Sequence, residues 1–205
     1  MNKLLNSAIL MVIICLVLSP LSSGKATGDP AKDRQDTIIK ERTAAIAANP
    51  KDFVSYLVRG IAYAEKDQLD MAAADCIKAI QINPSYAAAY CARGWVSHLG
   101  GKDDAAIEDF SRAIKIDPSF AEAYTNRAVA HSSKEQYDLA IADGIRAVEL
   151  APDSPEGYCV LGHAYYMTQR YDEAIATYRE LIDNSSDPRV IEQAKGWIRL
   201  MGGSV

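Results

Sequence analysis

Apolar and small residues return along this chain every 34 positions. One register holds tyrosine, a second holds glycine or alanine, a third holds alanine, and a proline closes three of the copies. The members are Tyr56, Tyr90, Tyr124 and Tyr158; Gly60, Gly94, Ala128 and Gly162; Ala72, Ala106, Ala140 and Ala174; and Pro84, Pro118 and Pro152. Each copy contains two segments of helical periodicity separated by a short polar turn. A fixed period of this length is typical of stacked supersecondary units, so the pattern predicts four helix hairpins at residues 53–86, 87–120, 121–154 and 155–188.

This pattern resembles the tetratricopeptide repeat, a helix-turn-helix unit that stacks on its neighbours. The resemblance extends from Phe53 to Pro188 and recurs in register four times. It implies an all-α fold, a right-handed superhelical solenoid of about four repeats with capping helices at its N- and C-terminal ends.

The fourth copy departs from the others near its end. Leu181 stands where the other copies have alanine, and Ser186 stands where a proline is expected. We therefore expect this copy to pack against a different neighbour, and we interpret residues 189–205 as a C-terminal capping helix. Asp187 and Pro188 are suited to begin it, as N-cap and first-turn residues.

The segment before the first full copy is predicted to be half a repeat. Ala45 and Pro50 lie 34 positions before Ala79 and Pro84, so residues 37–52 are expected to form a second helix that covers the end of the solenoid, as repeat proteins require. Residues 27–36 are polar and are interpreted as a linker.

The first 26 residues have the pattern of a secretory signal peptide. Lys3 precedes an apolar run from Ala8 to Leu18, and a stretch with proline, serine and glycine follows. The run is short for a membrane span, so we expect cleavage near Gly24 or Ala26 and export to the periplasm or the exterior. Two alternatives are an uncleaved membrane anchor and a lipoprotein attached at Cys15.

Composition argues against several classes of function. Charged residues make up 24% of the chain and the net charge is −5, without the basic stripe that nucleic acid requires. The sequence contains no GxSxG, phosphate-loop or HExxH motif. We therefore expect neither an enzyme nor a cofactor, and we expect other proteins as partners.

Cysteine and histidine offer little for a metal site. Cys159 and His163 lie four residues apart on one predicted helix, but a closed zinc site needs four ligands, and no metal is expected. Cys76 and Cys91 fall on neighbouring predicted helices and are interpreted as buried thiols, with a disulfide between them as the alternative.

Charged residues also follow the repeat. Arginine occupies one register and aspartate another, sixteen positions later, in the first three copies. The pairs are Arg59 with Asp75, Arg93 with Asp109, and Arg127 with Asp143; the fourth copy has Leu161 and Thr177. Because both charges disappear together, we interpret them as structural ion pairs, since an unpaired buried charge costs more than losing both. A ligand-binding role for the arginines is the alternative.

A second face of each first helix varies where the scaffold repeats. The resemblance implies that this face lines a concave groove that binds partner peptides. Its candidate residues are Leu57, Ile61, Cys91, Trp95, His98, Asn126, Val129, Cys159, His163 and Tyr166. Only Asn126 would suit a carboxylate clamp, so an apolar segment is the expected occupant. The alternatives are that these residues pack within the solenoid, or that the chain is a structural subunit of an envelope complex using its convex face or edges.

Overall fold

The computed structural model describes residues 30–204, with side chains from Arg34 onward. Over this range it contains ten α-helices and no strand: α1 Pro30–Ala48, α2 Phe53–Glu65, α3 Leu69–Ile82, α4 Ala87–Leu99, α5 Asp103–Ile116, α6 Ala121–Ser133, α7 Tyr137–Leu150, α8 Pro155–Met167, α9 Tyr171–Asn184 and α10 Pro188–Leu200. The predicted signal segment lies outside the described residues. Among the described helices, none is both long enough and apolar enough to cross a membrane.

Helix α1 begins earlier than the sequence predicts. Residues 30–36 are expected to be linker but are helical. The segment has no apolar periodicity, which is why its sequence favours a linker. Its alanine, lysine, arginine and glutamine are nonetheless good helix formers, and Pro30 is the first helical residue, a position that tolerates proline.

The helices fall into two compact units that divide at Tyr124. The first unit, residues 30–123, contains α1 to α5. The second unit, residues 124–204, contains the rest of α6 and α7 to α10. Helices adjacent in sequence pack on one another from α1 to α5 in the first unit and from α7 to α10 in the second, as short connections favour.

The turn inside each hairpin has the same backbone conformation. Asp67, Gly101, Glu135 and Gln169 lie 34 positions apart and have φ of 59°, 71°, 60° and 61°. The amide of the next residue in each copy donates to a carbonyl five positions back. This is a Schellman ending, which satisfies the last carbonyls of the first helix.

Small residues let the two helices of a hairpin approach closely. A Cβ atom added to Gly162 would lie 2.6 Å from the ring of Tyr178, and one added to Gly60 would lie 3.2 Å from the carbonyl oxygen of Ala72. Ala72 and its counterparts Ala106, Ala140 and Ala174 are fully buried. The glycine and alanine registers therefore set the interhelix distance.

The last helix packs as the fourth copy's departures predict. Leu181 is buried in a cluster with Tyr158, Tyr178, Ala194 and Ile198, the last two from α10. Asp187 caps α10 by accepting a hydrogen bond from the amide of Arg189 at 2.8 Å. At the other terminus, α1 packs on α2, where Arg59 Nη1 donates to Thr43 Oγ1 at 3.0 Å.

Candidate functional site

The three arginine–aspartate pairs share one geometry. Each guanidinium makes two hydrogen bonds to one carboxylate: 2.7 and 2.8 Å for Arg59 and Asp75, 2.8 and 2.6 Å for Arg93 and Asp109, and 2.8 and 2.7 Å for Arg127 and Asp143. The aspartates are buried and the arginines are partly exposed. These hydrogen bonds raise the pKa of each arginine above its usual value. Each pair links the first helix of a repeat to its second helix.

Tyrosines complete these three sites. The guanidinium carbon of each arginine lies 5.6–5.7 Å from the ring centroid of the tyrosine three residues earlier. At that distance the ring face attracts the cation. The ion pair and the tyrosine register thus form one structural unit in each of the first three copies.

The fourth copy replaces this unit with uncharged contacts. Leu161 is buried, and its Cα lies 3.1 Å from the position that a Cβ on Gly144 would occupy. The Thr177 hydroxyl donates to the Glu173 carbonyl at 2.8 Å. No charge is left buried, which explains how both ionic residues are absent together.

The first unit places its five candidate groove residues in two groups. Leu57 and Cys91 are buried. Ile61 and Trp95 are partly exposed and pack against the first unit's core cluster, which includes Leu57. His98 Nδ1 lies 2.6 Å from Asp103 Oδ1 across the hairpin turn. Ile61 and Trp95 therefore pack against the core on one side and keep part of their surface exposed to solvent.

The second unit divides its candidates in the same way. Val129 and His163 are buried, whereas Asn126, Cys159 and Tyr166 are partly exposed. The Tyr166 ring lies 5.7 Å from that of Tyr171, which is exposed. Tyr171 was not among the sequence candidates, because it lies at the start of the second helix.

His163 is a buried imidazole without hydrogen bonds. Neither of its ring nitrogens has a partner among the described residues. Burial lowers the pKa of His163 to about 4, because desolvation disfavours the charged form. The side chain is therefore neutral at physiological pH and acts as a packing residue.

Cys76, Cys91 and Cys159 are thiols, so the Cys76–Cys91 disulfide is not formed. Burial raises the pKa of Cys76 to about 12, which makes it a poor nucleophile. Among the described residues, no three acidic, histidine or cysteine side chains are grouped to hold a metal ion.

A polar depression on the first unit was missed by sequence reasoning. It is open to solvent and is lined by Tyr90, Arg93, Glu108, Asp109, Ser111, Arg112 and Lys115. Arg112 lies 5.9 Å from the Tyr90 ring centroid. A sequence feature that indicates this depression is a basic register at 34-residue spacing, which holds Lys78, Arg112 and Arg146.

Comparison with known proteins identifies the repeat. A model described as "TPR repeat" matches residues 96–134, and two described as "Tetratricopeptide repeat" match residues 54–86 and 125–187. A comparison with curated proteins finds no match.

Solved structures of similar fold include the following three. A crystal structure of MamA has a TM-score of 0.64 at 22% identity, covering 84% of this chain and 98% of that one. TTC0263, a thermophilic TPR protein in Thermus thermophilus, has a TM-score of 0.70 at 17% identity, covering 94% of this chain and 99% of that one. YrrB, described as a TPR protein with an unusual peptide-binding site, has a TM-score of 0.60 at 16% identity, covering 92% of each chain. Identities this low show a shared fold alone. The family models, which match three stretches between residues 54 and 187, establish that this chain is a tetratricopeptide-repeat protein.

Proposed function

We propose that this protein is an exported, non-enzymatic scaffold that binds an apolar segment of a partner protein along the varied face of its first helices. Proteins of this family generally act as scaffolds that bind other proteins or peptides.

Trp95 is the observation that carries the proposal. It is the largest side chain in its register, where Ile61 and Val129 stand in the flanking copies, and it remains partly exposed although it contacts the core. A core position can be filled by a smaller side chain, as Val129 shows. An aromatic residue that is half-covered by its own unit is a suitable anchor for a partner, since such residues often dominate interfaces.

Tyr166 and Tyr171 give the second unit a comparable feature. Their rings contact each other and keep exposed surface. Tyrosine offers both an apolar face and a hydroxyl, which suits a partner segment with mixed chemistry. None of the candidate groove residues is a lysine or arginine. An acidic chain terminus is therefore a poorer fit to this face than an apolar segment.

The test is to capture the partner with the exported protein and then vary Trp95. Affinity purification from the natural host followed by mass spectrometry identifies the partner. We expect Trp95→Ala to weaken binding by about 2 kcal/mol or more and Trp95→Leu, which keeps much of the core contact, to weaken it while the denaturation midpoint stays close to wild type.

The matched control is Leu99→Ala, an exposed apolar residue at the end of α4 that belongs to neither candidate surface. This variant should bind as wild type does. Unchanged capture by a folded Trp95→Leu variant would rule out Trp95 as the anchor.

Export rests on the N-terminal signal pattern. Intact-mass measurement on protein from the natural host should give a chain that begins near Lys25 or Thr27, recovered outside the cytoplasm. A full-length mass in the membrane fraction would favour the uncleaved anchor.

One observation favours a second candidate, a structural subunit that uses its outer helices. Met71 and Ile77 on α3 are exposed, and Leu139 and Ile145 occupy the same registers on α7. Exposed apolar pairs of this kind mark interaction surfaces when they are contiguous. If Ile77→Ser or Ile145→Ser loses the partner and Trp95→Leu does not, this candidate replaces the first.

A further inference from the structure

The first and last described helices are complementary halves of one repeat. Helix α1 packs on α2 in the way that α3 packs on α4, so it holds the place of a second helix, and the described residues contain no first helix that pairs with it. Helix α10 packs on α9 as α8 packs on α7, so it holds the place of a first helix, and no second helix follows it among the described residues.

The register of α10 shows which of its faces lacks a neighbour. Ile198 stands 34 positions after Ala164 and is buried like it. Gly196 stands 34 positions after Gly162, but it is exposed, and a Cβ atom added there would have nothing within 4 Å. In the first, second and fourth copies this glycine lies against the second helix of its own hairpin. The position that a second helix would occupy against α10 is therefore not filled at Gly196 by any described residue.

The register of α1 shows the matching deficiency. Ile38, Arg42 and Ala45 stand 34 positions before Ala72, Cys76 and Ala79. The later three are fully buried, whereas the earlier three keep exposed surface. Among the described residues, none fills the position that a first helix would occupy against α1.

The two open faces carry opposite charges at the ion-pair registers. Lys195 continues the register of Arg59, Arg93 and Arg127, and Glu41 precedes by 34 positions the register of Asp75, Asp109 and Asp143. The Glu41 side chain is 61% exposed, and its one ion-pair contact among the described residues is Arg42 at 3.9 Å. Lys195 has no carboxylate partner among the described residues. An incoming α1 would place an acid opposite Lys195.

We propose that α10 of one copy binds α1 of a second copy, so that the two helices complete a repeat and join chains head to tail. The contact is heterologous, which generates a ring or an open chain of subunits. It is independent of the groove proposed above. Because Glu192, Lys195 and Arg199 make the α10 face polar, we expect association that weakens with rising salt. The competing interpretation is that both helices are solvated caps, which predicts a monomer at every concentration.

The experiment measures mass against concentration by sedimentation or light scattering, with the full chain in one N-terminal form throughout. Wild type should show a mass that rises with protein concentration and falls with added salt. Lys195→Glu and Glu41→Lys should each weaken self-association at least about tenfold. A one-to-one mixture of the two variants should recover it, because every contact then pairs opposite charges.

Lys115→Glu and Glu108→Lys are the matched charge controls, since both residues are exposed on α5, and they should associate as wild type does. A monomeric wild type, charge variants that associate normally, or a mixture that stays dissociated would each overturn the proposal.

A steric variant tests the same contact without changing charge. Gly196→Leu should leave the isolated chain folded, because the position is open, and should abolish association by occupying the incoming helix's seat. Ala142→Leu adds the same side chain at an exposed position on α7 and should have no effect. If Gly196→Leu associates as wild type does, the α10 face is not the contact.

Discussion

A Cβ atom placed on Gly94 would lie 2.8 Å from the ring of Phe110, closer than real Cβ contacts allow. The ring is buried, and the carbonyl oxygen of Ala106 would lie 3.1 Å away on the same side. Neither neighbour can retreat easily. The second hairpin therefore depends on a residue without a side chain at this position.

We predict that Gly94→Ala lowers the free energy of unfolding by roughly 1–3 kcal/mol, because overpacking outweighs the better helix propensity of alanine. Gly196→Ala is the control, since that position is open; it should raise the free energy of unfolding by up to about 1 kcal/mol. Urea denaturation measures both. Equal effects at the two positions would show that close approach is not what selects glycine.

The ion pair in the same hairpin predicts a recoverable loss. Arg93→Ala leaves the buried Asp109 carboxylate without its bidentate partner and should cost roughly 1–3 kcal/mol. The double variant Arg93→Leu with Asp109→Thr copies Leu161 and Thr177 and should recover much of that loss. A double variant as unstable as the sum of the two single changes would show that the residues do not act as a pair.

Substitutions at equivalent positions of the hairpin turns should change the stability of the protein in opposite directions. Glu135 has φ of 60°, a region that costs a residue with a side chain about 1 kcal/mol. Glu135→Gly should therefore stabilise the protein slightly, and Gly101→Ala should destabilise it by about 1 kcal/mol. Glu135→Ala separates loss of the carboxylate from relief of the backbone. Stabilisation by alanine equal to that by glycine would contradict the conformational explanation.

His163 predicts sensitivity to acid. Its folded pKa of about 4 is below the usual 6.5, so the unfolded chain binds the proton first. The stability associated with the neutral imidazole is complete above about pH 6.5 and is lost as pH falls toward 4, with a total on the order of 3 kcal/mol. His163→Phe should flatten this part of the curve of unfolding free energy against pH. Parallel curves for the two proteins would contradict the burial of an uncharged ring.

The helix hairpins could be predicted because the tyrosine, glycine or alanine, and alanine registers each recur in four copies. The contacts of Leu181 with α10 could also be predicted, since a larger residue in an alanine register requires a different neighbour. The start of α1 could not, because residues 30–36 are helical without an apolar stripe. Periodicity also could not separate Leu57 and Cys91, which are buried, from Ile61 and Trp95, which keep exposed surface. All four share one helix face, and their exposure depends on how neighbouring helices pack.

Photo-crosslinking in the natural host tests the groove proposal most directly. A photoreactive amino acid replaces Ile61 or Tyr166 on the varied face, and Ile77 or Ile145 on the second helices in matched variants. We predict that the partner is crosslinked from Ile61 and Tyr166 and that Ile77 and Ile145 give none. Crosslinks from Ile77 and Ile145 alone, with all four variants folded, would contradict binding along the first helices.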